Sequence, residues 1–247
     1  AYYEAYLRYY VLGLRYAQSV YDFHSIGSCI AVRPLTYAQV RGVPKREAGE
    51  DFYLLNKLAK LGAIHTAQTE PIRIRSRVSA RVPFGTGRST HDIARNTAGY
   101  AIYDPTIFNL LRAWNTALPA LDDASPNHAY ASMCQRAVQY LNANTADLLD
   151  TALRSLDAPT ALREAATQST TPAVRQKWFH DWFDGFRTLK LVHSLRDNGL
   201  PNIPWADAIA NANFCTLSGG MKHTHSTRTE RGRFDLCRAL AHLEERT

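Results

Sequence analysis

The stretch that decides how this sequence is interpreted runs from Lys45 to Gly62 and reads KREAGEDFYLLNKLAKLG. Leucines at 54, 55, 58 and 61 recur at helical spacing between two glycines, which predicts an amphipathic helix of about three turns. Asp51 precedes the first leucines by three and four residues, so its side chain belongs to the apolar face. Glu50 points toward the rim. The stretch therefore places two carboxylates at the start of a helix.

Two interpretations of this acidic pair follow from its position. A carboxylate at a helix N-terminus lies in the field of unpaired N–H groups, which favours its ionised form. An ionised Asp51 can act as a base at neutral pH. The same position also suits ordinary N-terminal capping and compensation of the helix dipole. The position of the pair is compatible with both.

The run Gly49-Glu50-Asp51, followed by Phe-Tyr-Leu-Leu-x-Lys-Leu and a glycine, resembles the acidic motif in the C-terminal half of bacterial family 2, GT-A-type glycosyltransferases. In those enzymes the Asp is the general base of an inverting sugar transfer. The resemblance implies that role for Asp51, with Glu50 orienting the acceptor or the base. Residues 24–32 and 37–44 are similar to the strand and the acceptor-side loop that precede the helix in the family.

The resemblance is best over Tyr21 to Arg88 and lacks the family's nucleotide-binding half. No Asp-x-Asp metal motif follows an apolar strand, and the chain begins at Ala1 without an initiator Met. We therefore expect the C-terminal part of an α/β, GT-A-like fold in residues 1–90, the acceptor and base half, followed by a mainly α-helical domain in residues 91–247. The resemblance implies Mg²⁺ or Mn²⁺, ligated mainly by a part of the protein not in this chain. No metal ligands are predicted here.

Substrate contacts are predicted in two places. Gly27 and Ser28 would allow close approach to the backbone. Further along, arginines at 73, 75 and 77 alternate with other residues as on one face of a strand, and a Pro-Phe-Gly-Thr-Gly loop follows Arg81. A clamp on donor phosphates is one interpretation, because arginine binds phosphate oxygens bidentately and glycines permit tight approach; a solvated edge strand protected by charge is the other. The candidate clamp residues are Arg77, Arg81, Gly85, Thr86 and Gly87.

Composition sets the broad class. The chain has 247 residues, 45% of them hydrophobic, and a formal net charge of +7. The apolar fraction is ordinary for a globular protein, and the charge suggests a polyanionic partner such as a nucleotide diphosphate, nucleic acid or an anionic membrane face. Charge alone does not choose among these, but nucleic acid is disfavoured because the sequence has no recognisable binding motif. Four widely spaced cysteines fit reduced thiols in a cytoplasmic protein. No apolar run approaches the roughly twenty residues that span a bilayer.

Several other elements are predicted from local patterns. The tyrosine-rich residues 1–19 predict a helix, whose aromatic stripe serves packing or, alternatively, an acceptor platform. Residues 21–32 and 63–69 predict strands. Residues 172–198 predict one long amphipathic helix that begins at Thr171-Pro172 and ends at Gly199.

A metal site on the predicted helix of residues 172–198 is the less favoured interpretation of three of its polar residues. His180, Asp181 and Asp184 are spaced so that they could meet on one helix face. Ion pairs on a solvated face explain the same residues more simply.

The function these observations favour is inverting transfer of a sugar from a nucleotide-diphospho-sugar donor to a saccharide or other hydroxyl acceptor, with the donor half outside this chain. Two alternatives remain open. One is a non-catalytic basic interaction or scaffold module. The other is a nucleic-acid-binding domain that uses the arginines on phosphates.

Overall fold

A computed structural model of the protein describes residues 2–67, 101–122, 124–168, 171–215 and 230–246. Two short strands, β1 (Ala101–Ile102) and β2 (Ile203–Pro204), pair antiparallel. The helices are α1 (Tyr2–Tyr16), α2 (Pro34–Gln39), α3 (Glu50–Ala59), α4 (Thr106–Thr116), α5 (Ala129–Ala137), α6 (Ala143–Ser155), α7 (Ala158–Gln168), α8 (Pro172–Trp182), α9 (Gly185–Asn198), α10 (Trp205–Asn211) and α11 (Glu230–Arg246). Short 3-10 turns lie at Gly27–Cys29, Leu118–Leu121 and Val138–Tyr140.

The predicted tyrosine-rich helix is confirmed as α1, which packs against α11 and α4. Its buried face includes Ala5, Tyr9 and Leu12. The hydroxyl of Tyr9 donates a hydrogen bond to the backbone oxygen of Tyr103 at 2.9 Å, and its ring contacts Phe108 edge-on. A buried hydroxyl with a partner avoids the cost of an unsatisfied polar group, so this tyrosine serves packing.

Helix α4 lies at the centre of the main core. Its apolar residues Phe108, Leu111 and Trp114 are fully buried. Apolar side chains from α5 to α9 and from α10 and α11 join the same cluster. This cluster forms the helical body, to which residues near both ends of the chain contribute.

The long helix predicted over residues 172–198 is two helices, α8 and α9. Phe183 leaves the helical conformation, and Asp184 caps α9 by accepting a hydrogen bond from the backbone N–H of Arg187 at 3.0 Å. An aspartate at the N-cap position stabilises a new helix start better than it stabilises a helix interior. The predicted cap at Thr171 is confirmed, since its hydroxyl accepts from the N–H of Val174 at 3.4 Å.

A second, smaller cluster forms around α3. Leu54, Leu55 and Leu58 of α3 are buried with Val40, and the side chains of Phe23, Ile30, Val32 and Ile64 pack against them partly buried. The predicted helix is therefore confirmed over Glu50–Ala59. The helix ends earlier than the leucine spacing predicts: Leu61 lies beyond its last residue and is 53% exposed.

The predicted α/β, GT-A-like fold is wrong: the described part of the chain is mainly α-helical. Residues 21–32, predicted as a strand, contain the Gly27–Cys29 turn, and neither they nor residues 63–67 form a ladder. Apolar alternation fits a strand, but a strand forms only where neighbouring backbone groups pair with it. The predicted arginine strand and the domain boundary near residue 90 lie outside the described residues.

Polar contacts connect the small cluster to the helical body. The buried carboxylate of Asp184 accepts hydrogen bonds from Asn56 Nδ2 at 3.0 Å and from Lys60 Nζ at 2.9 Å. The Asn56 side-chain oxygen accepts from the N–H of Gly185 at 2.8 Å. One carboxylate thus caps α9 and holds α3.

Replacing Asp184 by Ala should lower the free energy of unfolding by about 2–4 kcal/mol, because a cap is lost and buried partners are left unsatisfied. The matched control is Asp181→Ala, which breaks the exposed 2.7 Å ion pair with Lys177 and should cost less than about 0.5 kcal/mol. Denaturant unfolding of both variants measures the difference. Equal losses would contradict a connecting role for Asp184.

The side chain of Glu244 joins α11 to the N-terminal part of the chain. It accepts from Arg8 Nη1 at 2.7 Å and lies 2.6 Å from His24 Nε2, while Arg15 Nη1 donates to the Glu244 backbone oxygen at 2.8 Å. Burial alone would raise the pKa of the Glu244 carboxyl, but the hydrogen bond from His24 and the charges of His24 and Arg8 outweigh it and lower the pKa.

A carboxyl whose folded-state pKa is lowered stabilises the fold above its unfolded pKa, and this stabilisation is lost as the pH falls through the folded pKa. We therefore expect stability to drop below about pH 4.3, the ordinary value for Glu. Glu244→Gln should be less stable at neutral pH and show a flatter acid limb. Urea unfolding across this pH range, with exposed Glu245→Gln as control, measures the effect. Parallel acid limbs for wild type and Glu244→Gln would contradict it.

Candidate functional site

The carboxylate of Asp51 lies in the first turn of α3, half-buried. Gly49 precedes the helix in the left-handed conformation, with φ of 74°, which glycine adopts without strain. Asp51 Oδ1 accepts a hydrogen bond from the backbone N–H of Phe52 at 2.8 Å. One carboxylate oxygen therefore binds an N–H group in the first turn, although Gly49 occupies the N-cap position and the helix has no side-chain cap.

The second oxygen of Asp51 faces the turn at Gly27. A Cβ atom placed on Gly27 would lie 3.0 Å from Asp51 Oδ2 and 3.1 Å from Asp51 Cβ. A side chain at this position would therefore require the Asp51 side chain to shift by a few tenths of an ångström. The structure thus brings together two sequence-predicted site residues that are far apart in the chain.

The other candidates divide between described and undescribed residues. Glu50 begins α3 and is exposed to solvent, on the rim as predicted. The backbone of Ser28 belongs to the same 3-10 turn as Gly27. The remaining candidates, Arg77, Arg81, Gly85, Thr86 and Gly87, lie outside the described residues.

The residues that fix α3 were not predicted from the sequence as part of the site. Asn56 is only 7% exposed, on the helix that carries Asp51. Burial alone would raise the pKa of the Asp184 carboxyl, but hydrogen bonds from Lys60 and Asn56 and the charge of Lys60 lower it, so the carboxylate is held ionised. One feature of the sequence could have indicated this contact. The amide of Asn56 directly follows Leu54 and Leu55, and a buried amide needs a polar partner.

An aromatic and cationic stack gives α3 a further contact with α9. The guanidinium of Arg46 lies 4.2 Å from the centre of the Tyr53 ring, and that ring lies 5.9 Å from the ring of Phe186. Lys190 Nζ lies 4.7 Å from the Phe186 ring centre on the same helix. Cation–π contacts at partly exposed sites contribute about 0.5–1 kcal/mol each. The helix start beside Asp51 is thus held on more than one side.

The polar residues of α8 do not assemble a metal site. Asp181 pairs with Lys177, whereas Asp184 turns to Asn56 and Lys60. Burial lowers the pKa of His180, whose backbone oxygen accepts from the Tyr21 hydroxyl at 2.7 Å. Within the described ranges, no group of three His, Cys, Asp or Glu side chains could hold a metal ion.

Comparison with known proteins gives no independent assignment. No family model, curated protein or solved structure matches the chain. Among the described helices, none has both the length and the apolar character needed to cross a membrane. The site must therefore be interpreted from its own geometry and from the sequence motif.

The contact between Gly27 and Asp51 can be tested by adding one methyl group. Gly27→Ala should displace the Asp51 side chain and cost about 1–2 kcal/mol, since it overpacks a tight contact. Gly62→Ala is the control, because nothing lies within 4 Å of the added atom. The ¹³C shift of the Asp51 carboxyl should change in the first variant only. An unchanged shift in Gly27→Ala would contradict the contact.

Proposed function

We propose that this chain carries the acceptor side and the general base of an inverting glycosyltransferase, with Asp51 as the base. The observation that supports the proposal is the position of the Asp51 carboxylate. One oxygen is held at a helix N-terminus while the other faces the Gly27 turn, 3.0 Å from where a Cβ would lie. The Gly-Glu-Asp motif and residues 24–32 and 37–44 are the parts of the sequence that resemble such enzymes, although residues 24–32 do not form the strand that the resemblance implies.

The proposed reaction is a single displacement. Asp51 Oδ2 takes the proton of an acceptor hydroxyl while its oxygen forms a bond to the anomeric carbon of the donor sugar. The bond from that carbon to the diphosphate breaks, and the nucleoside diphosphate leaves with the electron pair. Attack from the side opposite the leaving group inverts the anomeric centre. A well-placed base contributes about 10²–10⁴ in rate.

The hydrogen bonding of the site suits a base. Asp51 Oδ1 accepts from the backbone N–H of Phe52, and Oδ2 is proposed to accept the proton of the acceptor hydroxyl. Glu50, exposed next to it, is proposed to orient the acceptor. Arg77 and Arg81 are proposed to stabilise the departing diphosphate, and Mg²⁺ or Mn²⁺ to be held mainly by polypeptide outside this chain.

The alternative is a non-catalytic interaction module. It is favoured by the hydrogen bond between Asp51 Oδ1 and the N–H of Phe52, which an ordinary helix start would also make. In that case the Gly27 contact is packing only. Removing the proton-accepting ability of Asp51 while keeping its shape separates the two functions.

We expect Asp51→Asn, made in the complete gene product, to lower kcat about 10²–10⁴-fold with little change in the melting temperature. Glu50→Gln is the matched control and should have the smaller effect. Release of UDP or GDP from nucleotide-sugars, with Mn²⁺ and a panel of glycan acceptors, measures the rate.

Calorimetric titration of UDP, GDP and their sugar conjugates supplies the independent criterion. Binding by the complete gene product supports the enzyme. Failure of both this chain and the complete product to bind any of them would overturn the proposed function and favour the interaction module. Unchanged turnover in Asp51→Asn would remove Asp51 as the base.

A further inference from the structure

Residues 30–33, between the Gly27–Cys29 turn and α2, begin and end in the extended backbone conformation of a strand. Ile30 has φ of −100° and ψ of 125°, and Arg33 has φ of −66° and ψ of 139°. Both lie in the extended region. The side chains alternate accordingly: Ile30 and Val32 pack against the small cluster, whereas Ala31 and Arg33 face solvent. This period of two is that of a strand with one buried face.

The backbone groups of this segment lack a ladder. In the described part of the chain, no hydrogen bond uses the N–H or C=O groups of Ile30, Ala31 or Val32, whereas the Arg33 oxygen accepts from the N–H of Tyr37 at 3.0 Å. Among the described residues, this extended segment therefore presents an open strand edge. These groups must be met by water or by another backbone.

A second extended-type segment flanks the same cluster. Ile64 packs against it, while Ala63 and His65 on either side are exposed, and residues 63–67 have no regular structure. Helix α3 is thus covered by chain segments that alternate as strands do.

The sequence around the edge is basic, although the Asp51 carboxylate faces the Gly27 turn directly before it. Residues 23–46 contain no Asp or Glu, and Arg33, Arg41, Lys45 and Arg46 are all exposed. Apolar side chains are exposed beside them, namely Ile26 at 41%, Leu35 at 73%, Tyr37 at 39% and Val43 at 44%. A complementary surface would be apolar and acidic.

We infer that residues 30–33 are a docking edge for an extended, acidic segment of another polypeptide, which adds a strand beside them. Backbone pairing would supply affinity, and alternate apolar and acidic side chains would supply specificity. An anionic membrane would match the charge, but its head groups do not present a regular row of donors and acceptors that could pair with an extended backbone. The inference rests on backbone geometry and charge, and does not depend on the role of Asp51.

Hydrogen exchange tests the edge itself first. In the isolated chain, the amides of Ala31 and Val32 should exchange rapidly, at least about 10-fold faster than those of Leu54 and Leu55 inside α3. Slow exchange in the monomer would mean that the edge is already paired within the chain and would overturn the inference. Slow exchange that appears only with dimerisation would identify a second copy as the occupant and would also overturn it.

Binding is then tested with a displayed library of extended peptides, about eight residues long, that alternate valine or threonine with glutamate. Binders should slow exchange at Ala31 and Val32. Methylating the peptide nitrogens that face the edge should weaken binding at least about 10-fold, as should replacing glutamate by lysine. No binder, or binding indifferent to N-methylation, would overturn the inference. So would binding only to phosphatidylserine vesicles.

Variants of the chain provide the matched comparison. Ala31→Pro removes one edge N–H, and the extended conformation of Ile30 is compatible with a following proline. It should weaken peptide binding at least about 10-fold, whereas Ala31→Ser should leave it unchanged. Equal affinity in both variants would contradict pairing at this edge. The N-methylated peptides give the same comparison if the proline variant does not fold.

Discussion

The buried carboxylate of Asp184 is the contact on which the position of the candidate site depends. It caps α9 through the N–H of Arg187 and receives hydrogen bonds from Asn56 and Lys60 of α3. Charge-assisted hydrogen bonds of this kind are stronger than neutral ones, and a buried carboxylate that loses its partners is costly. The helix that carries Asp51 is therefore fixed to the helical body at its polar side, away from its leucines.

That polar anchor matters because the cluster around α3 is small. Its fully buried members are Val40, Leu54, Leu55 and Leu58, far fewer than in the helical body. So small a core supplies little stability by itself. The extended segments that cover it pack side chains against α3, but they form no ladder within the described residues. The region around α3 is therefore stabilised by its contacts with the helical body. These contacts are the hydrogen bonds of Asp184 and the contact between Glu244 of α11 and His24.

The sequence predicts those structural elements whose physical cause lies within a few neighbouring residues. Helices α1 and α3 follow from periodic apolar residues, and the caps at Thr171 and Gly199 follow from local chemistry. Strands do not follow from local chemistry in this way, because a strand forms only with a partner that its own sequence does not specify. The apolar run ending in Ile30 and Val32 has the right alternation, yet in the described residues it has no ladder. An α/β assignment inferred from family resemblance therefore fails where local helix predictions succeed.

The difference between local and long-range causes also explains which parts of the candidate site the sequence predicts. Glu50 and Asp51 could be placed at a helix start from spacing alone, but the approach of Asp51 to Gly27 requires the chain to fold back. The Asn56–Asp184 pair joins residues more than half the chain apart. The open edge begins directly after the Gly27–Cys29 turn, and its inward residues Ile30 and Val32 pack on α3. A strand added there would constrain the turn that faces Asp51 from one side, as Asp184 constrains the helix from the other. Partner docking and the geometry of the proposed base are therefore physically linked through α3.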